Sequence, residues 1–196
     1  MIKRLIDIVG ASVGLLATTP FWPLIIFLIK IESRGAGIVR IERVSAGKTF
    51  KVYKFRSMID GAHELKNGLK HLNERGDGPF FKIQNDPRIT QVGKIIRKFH
   101  VDEIPQLINV LKGEMSLVGP LPHEPNEIIH YPIEYSHLIL AKAGLTGLSQ
   151  VNGASSLQFL RELELDSYYI KNQSLLLDTK ILAKTAKIIF TEPKGV

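Results

Sequence analysis

Two adjacent carboxylates, Asp102 and Glu103, stand in the run R-K-F-H-V-D-E-I-P-Q-L-I-N-V-L-K-G-E-M-S-L-V-G-P-L-P, which extends from Arg97 to Pro122. With Arg97 nearby, the pair is a candidate reaction centre. The bland alternative is a charged helix cap, because acidic residues in a first turn complement the helix dipole. Ile104, Leu107, Ile108 and Leu111 follow at the spacing of one helix face, which predicts an amphipathic helix beginning at the pair. Pro105 fits only its first turn, and Gly113 stops it. Spacing alone leaves cap and reaction centre both open.

The elements that must position this pair are read from the rest of the chain. Its 196 residues suffice for one domain with an appendage. No cysteine is present, which excludes disulfides, thiolate chemistry and cysteine-based zinc sites. The net charge of +7 points to an acidic partner: a nucleotide, a nucleic acid or an anionic membrane face. Aromatics are only 8%, and no basic run is interleaved with them, which argues against single-stranded nucleic acid.

Ile8 to Ile29 carries no charge and is long enough to span a bilayer if straight. Pro20 and Pro23 interrupt it, and Thr18 and Thr19 beside the break can bond the carbonyls the prolines free. Each half then covers roughly 16 Å, about half the hydrocarbon thickness. Lys3 and Arg4 precede the run; Lys30, Arg34, Arg40 and Arg43 follow it. Basic flanks at both ends favour a re-entrant hairpin over a plain span, since basic residues prefer the cytoplasmic side. The expected division is residues 1–33 as membrane segment and 34–196 as the globular part.

Gly37 to Val44 and Thr49 to Met58 read as two strands around an Ala46-Gly47 turn. Their lysines and arginines make either a solvated face or a surface for headgroups or a diphosphate. Asp60 to Leu72 and Val92 to Phe99 read as helical, and Phe80 to Ile83 as a short strand or an apolar clip. Ala143 to Gly153 reads as a loop whose glycines allow close approach of backbone to a ligand. Leu157 to Ile170 is a predicted helix carrying Asp166, a candidate metal helper or helix anchor. Leu175 to Phe190, with Lys180, Lys184 and Lys187 on one face, is either an interfacial helix or one packed on the core.

Several motifs in order carry a family resemblance over nearly the whole chain. They are Thr19-Pro20 in the apolar run, Y-K-F-R-S-M from Tyr53, F-K-I-Q-N-D-P-R-I-T-Q-V-G from Phe81, V-D-E-I-P-Q-L-I-N-V-L-K-G-E-M-S-L-V-G-P, G-L-T-G-L-S-Q-V-N-G, and E-L-D-S-Y-Y-I-K-N. The chain resembles the bacterial sugar transferases, the monotopic phosphoglycosyl transferases. That resemblance implies an α/β, mostly helical globular domain on the cytoplasmic face of the bacterial inner membrane. A re-entrant membrane helix and interfacial amphipathic helices go with it. It implies transfer of a sugar 1-phosphate from a UDP-sugar to undecaprenyl phosphate, with UMP released and Mg²⁺ as cofactor. Asp102 then matches the nucleophile and Glu103 the metal-associated carboxylate. Arg97 matches a phosphate-holding arginine, and Arg88, Thr146, Gln150 and Asn152 fall in ligand-binding motifs. Leu121 and Ala154 stand where the family often has arginine, which keeps a non-catalytic membrane partner as the alternative. Neither the sugar nor the oligomeric state is legible, a homo-oligomer being among the options.

Overall fold

The charge-free run folds into two helices joined end to end, α1 (Ile2–Thr18) and α2 (Trp22–Glu32), through one 3₁₀ turn, Thr19–Phe21. This is a computed structural model that describes residues 1–153 and 156–191. The proline break is satisfied as its sequence predicts. Thr18 Oγ1 donates to the Gly14 carbonyl at 2.7 Å and Thr19 Oγ1 to that of Leu15 at 2.5 Å. Thr18, Thr19, Phe21 and Trp22 keep right-handed helical dihedrals through the break. The run Ile2–Glu32 is long and apolar enough to cross a membrane by length and composition.

One stripe of α1 is spent on the globular body. Asp7, Gly10, Ala11 and Gly14 recur at i, i+3, i+4 and i+7. Ala11 is fully buried among Val52, Leu107, Val110 and Met115. A methyl at Gly10 would meet Leu117 Cδ1 at 2.6 Å, and one at Gly14 would meet Leu107 Cδ1 at 2.8 Å. These glycines let two backbones approach; the small-residue spacing that pairs membrane helices elsewhere is occupied here by the chain itself. The buried Asp7 carboxylate accepts hydrogen bonds from Ser116 Oγ at 2.9 Å and Leu117 N at 2.8 Å. Arg4 donates to the carbonyls of Val110 and Leu111, and Lys3 pairs with Asp178. On α2, Trp22, Ile25, Ile26 and Ile29 pack against Phe55 and Ile96, while Leu24, Phe27 and Ile31 face outward.

The basic hairpin forms close to its predicted limits, as β1 (Ile38–Ser45) and β2 (Lys48–Phe55) in antiparallel register. Ala46 and Gly47 both take positive φ, +50° and +72°, the two-residue turn whose twist matches the strands. Asp60 to Leu72 is tighter than an α-helix, a 3₁₀ segment over Glu64–Leu72. Of the two readings for Phe80 to Ile83 the clip prevails: Phe80 packs edge-on to Phe159 at 5.1 Å, outside any strand.

The short helix α3 (Gln91–Lys98) ends before the central stretch, which departs from its predicted form. Val101–Gln106 is a 3₁₀ turn, and only then does α4 (Leu107–Lys112) begin, with Gly113 closing it at φ +81°. The physical reason is Pro105, which has no N–H to give an α-helical ladder. Burial shifts accordingly: Asn109 and Val110 are sealed, whereas Ile104, Ile108 and Leu111 are only half-buried.

The glycine-rich stretch is a correction too. It contains a strand and a helical turn rather than a loop. β3 (Ser116–Val118) is followed by α5 (Pro125–Ile128), then β4 (Gly144–Thr146) pairs with β3 in parallel and α6 (Leu148–Val151) follows. A Cβ on Gly144 would lie 2.1 Å from Gly119 N, and one on Gly147 2.2 Å from Gly119 O. The close approach these glycines permit is to the Gly119 backbone. Finally, α7 (Phe159–Lys171) and α8 (Leu175–Thr191) close the fold. The apolar side of α8 packs through Leu177, Ile181 and Leu182 against Val118, Val151 and Tyr169, so that side is turned to the core.

Candidate active site

Three elements bring the predicted chemistry together. The 3₁₀ turn supplies Asp102 and Glu103, β2 supplies Lys54, and α3 supplies Arg97. The turn opens at His100, which adopts a left-handed backbone at φ +54°. Such a conformation is uncommon for a side chain of this size and costs on the order of 1–3 kcal/mol. It reverses the chain sharply after α3 and aims the next residues back at β2. The pair stands in the first turn of this 3₁₀ helix, one turn ahead of α4.

The two carboxylates have different surroundings. Asp102 is 6% exposed and accepts no hydrogen bond among the described residues. Burial raises its pKa above the usual carboxylate value, opposed chiefly by the nearby Lys54 charge and then by Arg97 and His100. Glu103 is more open and is bound by Lys54 Nζ at 2.6 Å. Burial pushes against its charge, but the Lys54 ion pair and hydrogen bond win and hold its pKa low. Lys54 thus holds one carboxyl as an anion, while burial pushes the other toward its protonated form against the nearby Lys54 and Arg97 charges.

Arg97 donates from Nε to Ser57 Oγ at 2.8 Å and feels the charges of Asp102, Asp86 and Glu103. Burial lowers its pKa, yet an arginine remains charged. Arg88 is committed elsewhere. It forks onto Asp86, with Nη2 to Oδ2 at 2.6 Å, and donates to the Ala62 carbonyl at 3.0 Å. Asp86 is held below the usual range: burial works against its charge, and the Arg88 hydrogen bonds outweigh it. Arg88 and Asp86 therefore form a buried pair flanking Arg97.

Thr146, Gln150 and Asn152 are not joined to this cluster by any hydrogen bond among the described residues. Thr146 Oγ1 meets Thr185 Oγ1 at 2.7 Å, and Asn152 Oδ1 accepts from Lys184 Nζ at 2.8 Å. Gln150 Nε2 reaches the Leu145 carbonyl at 3.3 Å, while its buried Oε1 has no partner. Leu121 is half-buried and gives its N–H to Asp166 Oδ2 at 3.1 Å. Ala154 lies outside the described residues. An open cavity of about 220 Å³ lined by Glu74, Arg75, Asp77, Lys82, Ser156, Leu157 and Gln158 contains none of the predicted site residues.

Lys54 and Ser57 are the partners that residue spacing did not reveal. Both lie in the Tyr53–Met58 motif, but their pairing with Glu103 and Arg97 spans 49 and 40 residues of sequence. As for a metal, no group of three or more His, Asp or Glu able to hold one occurs among the described residues. The donor set is the Asp102–Glu103 pair, with Glu103 Oε1 already on Lys54. That fits Mg²⁺ only in its usual manner beside phosphates, with one or two protein carboxylates and the remaining ligands from substrate and water.

Comparison with known proteins matches residues 1–192 to the family model for bacterial sugar transferase. The undecaprenyl-phosphate galactose phosphotransferase of Salmonella typhimurium is 41% identical over 96% of this chain and 40% of its own length. The exopolysaccharide production protein ExoY of Rhizobium meliloti is 36% identical over 94% of this chain and 84% of its own. The undecaprenyl-phosphate glucose phosphotransferase of Komagataeibacter xylinus is 36% identical over 94% and 35%. The chain spans about two fifths of the length of several such relatives. Matched from end to end of its described fold, the chain belongs to the bacterial sugar transferase family.

Proposed function

We propose that this chain transfers a sugar 1-phosphate from a UDP-sugar to undecaprenyl phosphate at the cytoplasmic face of the bacterial inner membrane. The observation that carries the reading is Asp102: a buried, unpartnered carboxylate between a lysine–glutamate pair and an arginine. The names of relatives as undecaprenyl-phosphate phosphotransferases supply the substrate class.

In the first step an Asp102 carboxylate oxygen attacks the sugar-linked phosphorus. The bond from that phosphorus to the bridging oxygen breaks, and UMP leaves with the electron pair. In the second step an oxygen of the acceptor phosphate attacks the same phosphorus and returns the Asp102 carboxylate. Arg97 holds non-bridging oxygens during both displacements. Lys54 keeps Glu103 ionised and offsets the repulsion between Asp102 and the donor. Glu103 would hold Mg²⁺, which keeps its other ligands from substrate and water and whose charge favours departure of the UMP phosphate when bound.

The acceptor is a lipid, and the apolar segment supports a re-entrant placement. Both flanks of the run bind the same globular body: Lys3 and Arg4 reach Asp178 and α4, and the Ser33 and Arg34 carbonyls accept from Arg56. A plain span would carry these flanks to opposite faces, about 30 Å apart. The uncovered outer residues Leu5, Val9, Val13, Leu24, Phe27 and Ile31 are then the lipid-facing surface.

The test is incubation with UDP-sugar and Mg²⁺ in the absence of acceptor. UMP release with a phosphosugar adduct on Asp102 is expected, and undecaprenyl phosphate should discharge it. Unchanged turnover in Asp102→Asn would sink the assignment.

A further inference from the structure

The end of the apolar segment is bolted to the two elements that carry the cations of the site. Glu32, the last residue of α2, accepts from the first two amides of α3: Gln91 N to Oε1 at 2.6 Å and Val92 N to Oε2 at 2.8 Å. Thr90 caps the third, Gly93 N, at 2.9 Å. The helix so fixed at its start carries Arg97 in its last turn. On the other side, Arg56 donates to the carbonyls of Arg34 at 2.6 Å and Ser33 at 2.5 Å. Arg56 stands between Lys54, which binds Glu103, and Ser57, which binds Arg97.

The packing leaves little slack in this connection. A Cβ on Gly93 would lie 1.9 Å from Ser57 O, so α3 rests directly on the backbone just after β2. Thr90 N also donates to Ser57 O at 3.2 Å, and Asp60 N to Ser33 Oγ at 3.2 Å. Phe55 sits within the same strand end against Trp22, with ring centroids 5.3 Å apart. Of four successive residues, Lys54 and Ser57 therefore bind the site, and Phe55 and Arg56 between them bind the membrane segment.

We propose that Glu32 and Arg56 are positioning residues: the segment held by lipid sets the placement of Arg97 and Lys54 through them. This rests on the reading of Arg97 as the donor-phosphate holder. Glu32 touches no candidate reacting group itself. Its carboxylate orients α3 by filling two N–H positions that no intrahelical carbonyl reaches. Losing it frees the first turn of α3 and lets the Arg97 fork drift, where a small misplacement weakens phosphate recognition.

The experiment uses the full chain in vesicles of anionic phospholipid. Glu32→Ala should raise the UDP-sugar concentration giving half-maximal adduct formation about tenfold, with flotation on vesicles unchanged. Glu32→Gln, whose amide oxygen still accepts one N–H, should recover most of it. Hydrogen exchange in α3 should be faster in Glu32→Ala. A lower melting temperature with unaltered donor dependence, or a loss of flotation that accounts for the activity change, overturns the proposal. If the wild-type chain forms no adduct, the covalent reading fails by itself. Exchange then decides the latch, and unchanged α3 protection in Glu32→Ala overturns it.

Discussion

Two carboxylate clusters in this molecule share the effect of burial but differ in the charges that oppose it. At the 3₁₀ turn, Asp102 sits beside Lys54 and Arg97, and its neighbour Glu103 is ion-paired. On α7, Glu162 and Asp166 lie one helical turn apart and are almost wholly buried. Glu162 accepts from His123 Nε2 at 2.8 Å if that nitrogen carries the proton, with Tyr131 on the other ring nitrogen and Arg75 at 3.7 Å. Asp166 binds Leu121 N through one oxygen. Burial pushes its pKa up to about 6, with the Glu162 charge adding to the rise. Beside Asp102, the Lys54 and Arg97 charges oppose the burial; around Asp166 the opposing groups are Ser149, His123 and the Leu121 N–H. The first arrangement sets two side-chain cations against the burial of Asp102. The second ties the Gly119–His123 turn to α7 and leaves Asp166 Oδ1 buried without a partner.

The largest expected effect comes from Asp102→Asn. Turnover should fall by about a thousandfold or more, because the amide is a far weaker nucleophile. The melting temperature should hold or rise, since the variant no longer buries a charge without a partner. UMP release and thermal unfolding measure the two, and a stability loss large enough to account for the rate would break the comparison.

Lys54→Met should lower turnover by roughly ten- to a hundredfold. It should also move the acid limb of the pH–rate profile upward. Lys54 is the main charge holding the Asp102 pKa down, so without it the carboxylate is protonated at a higher pH. An acid limb at its original pH in this variant would separate Asp102 from the profile.

Asp166 should act on stability in the reverse sense from a paired carboxylate. Its folded pKa near 6 exceeds the ordinary 3.8, so the folded chain binds more protons between those values. Stability therefore falls as pH rises through that window, by at most about 3 kcal/mol. Asp166→Asn should lose this slope in urea titrations at pH 4, 5, 6 and 7. If the slope survives, another group is responsible.

Thr146→Val should give the smallest effect. It removes the hydroxyl pair with Thr185 that ties β4 to α8, at a cost of about 1 kcal/mol. Half-saturating UDP-sugar should stay unchanged. An increase would return Thr146 to the ligand-binding role that its motif implies.

The sequence by itself determined the parts governed by local chemistry. Gly47, between two runs rich in β-formers, marked the hairpin turn, because glycine takes positive φ without strain; Ala46 takes it at +50° only as the strands demand. Thr18 and Thr19 beside Pro20 and Pro23 specified a satisfied break in the apolar run. Asp102, Glu103 and Arg97 were legible as a group because they are close in sequence, and the ordered motifs identified the family. Tertiary structure decided what distance along the chain conceals. Lys54 and Ser57 join the site only because β2 lies against the 3₁₀ turn and α3. The glycines of 144 and 147 could not announce whether a ligand or the Gly119 backbone would approach them, since glycine permits both equally. Likewise the motif around Arg88 does not announce that its guanidinium forks onto Asp86 in the interior. Residue type fixes which interactions a side chain can make; which partner it meets depends on contacts between segments far apart in sequence.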